Sequence, residues 1–162
     1  MDGPFYNHYP REPELPRAHL AEAFEHTYQF IAEKGPFDVV MGFSQGAALA
    51  AAMIAHHEKA NPGATPVFRA AVFLCGAAPW ESSGVELIVP QPDVFPITIP
   101  TAHVVGKLDP LYSQGLKLFG LCEPSKAVLY DHGSKHMVPF DMKNTVEITR
   151  VIEETVAKAM RN

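Results

Sequence analysis

Apolar and polar positions change period along the chain, and the changes mark out an alternating series of helices and strands. Residues 1–16 hold Pro4, Pro10, Pro13 and Pro16, a density that suits neither helix nor central strand, so this stretch reads as an irregular surface lead-in. Leu20, Phe24, Tyr28 and Ile31 then recur at four- and three-residue steps. That spacing predicts a helix over about residues 16–34, ended by Gly35-Pro36. FDVVMG, residues 37–42, is a short apolar run that reads as a buried strand. The alanine-rich segment from Ser44 to about Ala60 favours helix, with small residues at its start. After a turn over 61–66, FRAAVFLCG (68–76) is a second apolar strand. Residues 77–98 have Pro79, Pro90, Pro92 and Pro96 spread through them and read as a loop inserted over the sheet edge. IPTAHVVG (99–106) is a third strand, its proline at the entrance, where no ladder bond is lost. A weaker helix over 110–123 is interrupted by Gly115 and Gly120. KAVLY (126–130) is a fourth strand. Residues 142–160 form a last amphipathic helix with Ile148, Ile152, Val156 and Ala159 on one side.

Apolar strands alternating with helices predict an α/β fold, a parallel sheet with helices on both faces joined by right-handed crossovers. No internal repeat, low-complexity tract or linker divides the sequence, so residues 1–162 are expected to form a single domain. The hydrophobic fraction of 47% against 19% charged residues excludes a disordered chain. A net charge of −5 without any Lys/Arg cluster leaves no surface for nucleic acid. Cys75 and Cys122 stand far apart and outside any Cys-x-x-Cys pattern, which argues against a disulfide framework and against a metal site. No apolar run reaches the ~18 residues a membrane span needs, and the first residues carry no signal-peptide core. A cytoplasmic protein is the expectation.

The candidate chemistry begins at Gly42-Phe43-Ser44-Gln45-Gly46, placed where a strand turns into a helix. A serine on such a turn stands clear of the sheet. Its flanking positions suit glycine, because side chains there would collide with the neighbouring strand and helix. The following helix N-terminus, and the backbone N–H of Gln45, would face a developing oxyanion. A serine there is also ordinary helix-cap material. A serine nucleophile needs a histidine, and the histidine needs a carboxylate to orient it. In parallel-sheet hydrolases these follow in the order Ser, Asp/Glu, His, each after a strand. Asp109 directly follows the third strand, where it equally suits the cap of the next helix; Asp93 and Asp131 are its rivals. His132 and His136 both follow the fourth strand, and His136, deeper in the loop before Met137-Val138-Pro139, is favoured as the base. Cys75 ends its strand at the same side of the sheet and reads as a buried free thiol.

GPFDVVMGFSQGAALAA, HVVGKLDPLY and HGSKHMVP together resemble the fungal-type serine hydrolase family of the α/β-hydrolases, which includes esterases and thioesterases that release acyl chains from polyketide synthases. The string GFSQG is shared with a neighbouring phospholipase/carboxylesterase family, while GPFD and GSKHMVP favour the first. The resemblance implies an α/β-hydrolase-like fold with Ser44 as nucleophile, Asp109 as acid, His136 as base and Gln45 as near oxyanion donor, and it implies no cofactor. The expected reaction is cleavage of a small carboxylic ester or acyl thioester, free or carrier-protein-bound, in secondary metabolism. Trp80 and Phe95 in the proline-rich loop are expected to line the acyl pocket, with Tyr112 and Ser113 as polar neighbours. The family carries further strands, and a His-Gly oxyanion loop, before its nucleophile strand. Here Ser44 follows one helix, so the expectation is an N-terminally truncated fold of about four strands. Its nucleophile strand would lie at an exposed edge, open to pairing with another copy or a partner chain. That expectation carries a second one, a catalytically weakened binding or regulatory domain.

Overall fold

The computed structural model describes residues 17–161; the proline-rich lead-in lies outside them. Eight elements follow in order: α1 (Arg17–Lys34), β1 (Val39–Phe43), α2 (Gln45–Ala60), β2 (Ala70–Leu74), β3 (Thr101–Val105), α3 (Tyr112–Phe119), β4 (Ala127–Asp131) and α4 (Met142–Met160). The four strands form one parallel sheet in the order β1-β2-β3-β4. Strand positions are as expected from the apolar runs; β2 and β3 are shorter than theirs, and β1 and β4 each end one residue later than expected.

One face of the sheet carries Ala71 and Phe73, which pack against Ala47, Ala51 and Ile54 of α2, Leu118 of α3, and Ile97 and Ile99 from the β2–β3 connection. The other face carries Val72, Leu74, Ala102 and Val104, covered by Ile148 and Val151 of α4. All three crossovers therefore lie on one face, as right-handed connections must when successive strands advance in one direction. The alternation within β2 and β3 sends successive side chains to opposite faces, and every residue of both strands is buried. That double burial is why these strands read as continuous apolar runs.

The composition of α2 follows from its position. Its residues 47–55 are all buried. Ala47, Ala50, Ala51, Ile54 and Ala55 meet the sheet side, while Leu49, Ala52 and Met53 meet Leu20 and Phe24 of α1. A helix enclosed on two sides needs small residues to let both neighbours approach, and alanine supplies them at no cost in helix propensity.

Two expectations are corrected. The loop at 77–98 does not lie over a sheet edge. It joins the two central strands, and its Trp80 packs against the α1–α2 cluster while Ile97 is fully buried in the core. In α4 the buried stripe is Ile148, Val151, Thr155 and Ala159, with Ile152 and Val156 at its flank. Thr155 is tolerated inside because its hydroxyl donates to the Val151 carbonyl at 2.8 Å. The expectation of an edge position for β1 holds. Among the described residues it pairs with β2 alone, and Met41 and Phe43 are 55% and 43% exposed on the side that α4 leaves uncovered.

Candidate active site

In a parallel sheet every strand delivers its carboxyl end to the same side. Ser44 follows β1, Cys75 follows β2, Asp109 lies four residues after β3, and His132 and His136 follow β4. Ser44 occupies φ 54°, ψ −116°, a backbone conformation unusual for a residue with a side chain. Two backbone bonds pin it there: its N–H donates to the Leu74 carbonyl at 2.9 Å, and its own carbonyl accepts the N–H of Ala77 at 3.3 Å. The turn closes only because Gly42 lacks a side chain, since a Cβ there would sit 2.5 Å from the Ala47 nitrogen. Ser44 makes no side-chain cap bond to α2. The cap role leaves its hydroxyl unused, and the hydroxyl points elsewhere.

It points to His136. Ser44 Oγ lies 2.9 Å from Nε2 of His136, and Nδ1 of His136 lies 2.7 Å from Oδ2 of Asp109. An ionised carboxylate can only accept, so Nδ1 carries the proton, Nε2 is left as acceptor, and the serine hydroxyl donates to it. The Asp109 side chain is 2% exposed and that of His136 32%. The carboxylate is thus enclosed while the imidazole reaches the surface. The helix-cap reading of Asp109 is corrected: Leu111 stands at the cap of α3 and no side chain caps it, while Oδ1 of Asp109 accepts the Leu111 N–H at 2.7 Å and shapes the turn that leads into the helix. Of its rivals, Asp131 accepts from the N–H groups of Lys107 and Gly133, shaping the loops beside the site. Asp93 is an exposed residue at φ 58° in the β2–β3 connection.

His132 has different work. Its Nδ1 accepts the Ser134 N–H at 3.2 Å, which leaves the proton on Nε2, 3.7 Å from Cys75 Sγ. The Cys75 thiol in turn donates to the Met137 carbonyl at 3.4 Å. Residues on both sides of His136 are therefore tied to one thiol. Backbone bonds from Leu108 N–H to the Ser134 carbonyl and from His132 N–H to the Val105 carbonyl join the same loop to the Asp109 loop. Gly106 permits this contact, because a Cβ there would run into the Ser134 carbonyl oxygen and the His132 ring. Burial and the nearby Asp109 charge push the Cys75 thiol up to about 11, so it is a neutral hydrogen-bonding group at neutral pH. Burial also lowers the His132 imidazole, keeping it neutral.

Gln45 opens α2, directly after Ser44. Of the predicted pocket residues, Phe95 faces a separate cavity. Phe95 lines a cavity of about 430 Å³ with Ala52, Ala55, His56, Val94 and Ile88, two or more turns along α2 from Ser44, and none of Ser44, Asp109 and His136 is in its wall. Trp80 lies against Leu20, Phe24 and Met53. Tyr112 and Ser113 begin α3. Phe43, overlooked in the sequence, is closer: its ring centroid is 5.0 Å from that of His136. Its signal was its place inside the Gly42–Gly46 turn. The signal for Cys75 and Gly106 was their position just after strand ends, on the side where all four strands deliver their loops.

Residues 2–148 match the family described as serine hydrolase (FSH1). "Esterase FPY3" of Fusarium mangiferae is 38% identical over 148 residues, covering 87% of this chain and 66% of that protein. "Hydrolase phiM" of a fungal species is 32% identical over 138 residues, covering 83% and 66%. The chain thus spans about two thirds of the length of the curated relatives it matches. Among solved structures, acyl-protein thioesterase 2 of Zea mays superposes with a TM-score of 0.58 at 19% identity, over 90% of this chain and 69% of that one, a likeness of fold. By sequence match, this chain belongs to the FSH1 serine hydrolase family.

Proposed function

We propose that this chain cleaves a carboxylic ester or acyl thioester through an acyl-enzyme on Ser44. The observation that carries the proposal is the unbroken line from Ser44 Oγ through the His136 ring to the buried Asp109 carboxylate. Ser44 attacks the acyl carbonyl while its proton passes to Nε2 of His136, and the imidazolium then returns that proton to the leaving alcohol or thiol. Asp109 stabilises the charged imidazolium and keeps the ring oriented. The backbone N–H of Gln45, at the positive end of α2, is the near donor to the tetrahedral oxyanion. Water then repeats the cycle on the acyl-enzyme. Every step is a proton or acyl transfer, so the scheme calls for no cofactor. Phe43, half-exposed beside His136, is the nearest apolar surface for an acyl chain, with Trp80 and Phe95 further out. The substrate class follows from relatives named as esterases and a fold neighbour named as a thioesterase. A carrier-bound acyl thioester of secondary metabolism is the finer version. Labelling by a fluorophosphonate probe tests the proposal: Ser44→Ala abolishes it, and labelling that survives that change unaltered would refute the assignment.

The open edge of β1 favours a second reading. Met41 and Phe43 are exposed on β1, whose outer edge has no partner strand among the described residues, and the relatives are longer. In this reading the domain pairs through β1 with a second copy or another chain and is weak alone. Light scattering that finds only monomers, together with ester turnover that His136→Ala abolishes, would exclude it.

A further inference from the structure

Cys75, Asp109 and His136 present one ligand atom each, a thiol sulfur, a carboxylate oxygen and a ring nitrogen, all within 4.8 Å of one another. The sequence argued against a metal site because the two cysteines are isolated in the chain. The sheet supplies what the spacing lacked, by bringing the ends of β2, β3 and β4 to one point. We propose that these three side chains form a binding site for a borderline-soft divalent cation such as zinc or cadmium, and that its occupation switches the Ser44 centre off. The inhibitory part rests on the function proposed above; the binding part does not.

The donor set has one soft, one borderline and one hard ligand, a combination suited to zinc and its heavier congener and unsuited to magnesium or calcium. Bond lengths of about 2.3 Å to sulfur and about 2.0–2.2 Å to nitrogen and oxygen place tetrahedral ligands some 3.3–3.7 Å apart. The ligand atoms, all within 4.8 Å of one another, therefore need shifts of up to about 1.5 Å in their separations. Oδ1 of Asp109 is anchored on Leu111, so Oδ2, which accepts from His136 in the metal-free site, is the oxygen that would turn to the cation. Three protein ligands leave the fourth position to water, the open arrangement of zinc sites that exchange ligands. The partly exposed His136 gives the way in.

The protons balance simply. The thiol releases its proton to solvent as the sulfur–metal bond forms. The ring nitrogen that faces Asp109 is Nδ1. When it binds the cation it gives up its proton to solvent, Nε2 takes one up, and the imidazole remains neutral with its single proton on Nε2. That nitrogen then donates to Ser44 Oγ and can no longer accept from it, so the base is lost without any change in the fold.

Titration of the full chain with Cd²⁺ tests the site. Binding gives a thiolate-to-metal charge-transfer band at one cadmium per chain, displaced by Zn²⁺. The band disappears in Cys75→Ser and persists in Cys122→Ser. His136→Ala, which keeps the thiol, weakens cadmium binding at least about tenfold, the loss that even an outer-shell change brings. Fluorophosphonate labelling of Ser44 falls in step with the band. Absence of the band, its survival in Cys75→Ser, or unchanged affinity in His136→Ala would overturn the site. Undiminished labelling at saturating cadmium would overturn the switching. If the metal-free chain never labels, the hydrolase reading fails instead, while band and affinity still decide the binding.

Discussion

The carboxylate of Asp109 is divided between two partners: Oδ2 accepts from Nδ1 of His136 at 2.7 Å, and Oδ1 accepts from the Leu111 backbone at 2.7 Å. Asp109→Asn and Asp109→Ala therefore separate its two duties. With asparagine, the amide oxygen keeps the Leu111 bond and the amide nitrogen, a donor, faces Nδ1, so the ring adopts the wrong tautomer. Turnover is expected to drop by about 10⁴ with melting temperature nearly unchanged. Alanine loses the same activity and also about 1 kcal/mol of stability with the turn. Equal melting temperatures for the two variants would contradict the double role.

Ser44 is held at φ 54° by its neighbours. Glycine adopts such a conformation without the side-chain penalty. Ser44→Gly should abolish probe labelling while raising stability by about 1 kcal/mol, read from urea unfolding against Ser44→Ala. A glycine variant less stable than the alanine variant would argue against strain at the turn.

His132 positions the base through the Cys75 thiol and the Ser134 backbone. His132→Ala frees the loop on one side of His136, and a misplacement of about 1 Å costs about 10² in rate. The loss should fall on kcat rather than KM, and the second variant His132→Gln should recover part of it. A loss confined to KM would point to substrate contact instead.

Gly106 lets the base loop lie on the acid loop. Gly106→Ala forces the 134–135 backbone away and should lower probe labelling far more than it lowers the melting temperature. Labelling rate and thermal unfolding measured on the same preparation decide this.

His103 is fully buried on β3 between Phe73 and Phe119, and its Nε2 meets the Thr101 hydroxyl at 3.1 Å. Burial pushes its imidazole down to about 3, against about 6.5 in the unfolded chain. Between those values the unfolded chain binds the extra proton and the folded chain does not. Stability should therefore fall as pH drops from about 6.5 to about 3, with a slope from this group approaching about 1.4 kcal/mol per pH unit. His103→Gln, which still reaches Thr101, should flatten that limb relative to the native chain in urea unfolding at stepped pH. Parallel curves would rule out the buried histidine as its source.

Much of this protein was legible from residue order alone. Apolar runs and helical stripes located every element, because burial on both faces writes itself into consecutive positions of β2 and β3. The Gly42–Gly46 turn singled out Ser44, because a strained turn between strand and helix tolerates few residue types. What sequence left open were choices among side chains close together in the chain. His132 and His136 lie four residues apart after one strand, and only the packing of that loop on Cys75 and Gly106 sends one to Ser44 and the other to a thiol. Asp109 read as acid or cap; it caps no helix, and its two oxygens go to the His136 ring and to the turn before α3, since the fold aims them apart. Likewise Cys75 looked isolated until parallel strands set it beside Asp109. Sequence determines which residues flank each strand. Only the register and convergence of strand ends, distances set across the chain and not along it, decide which of them meet.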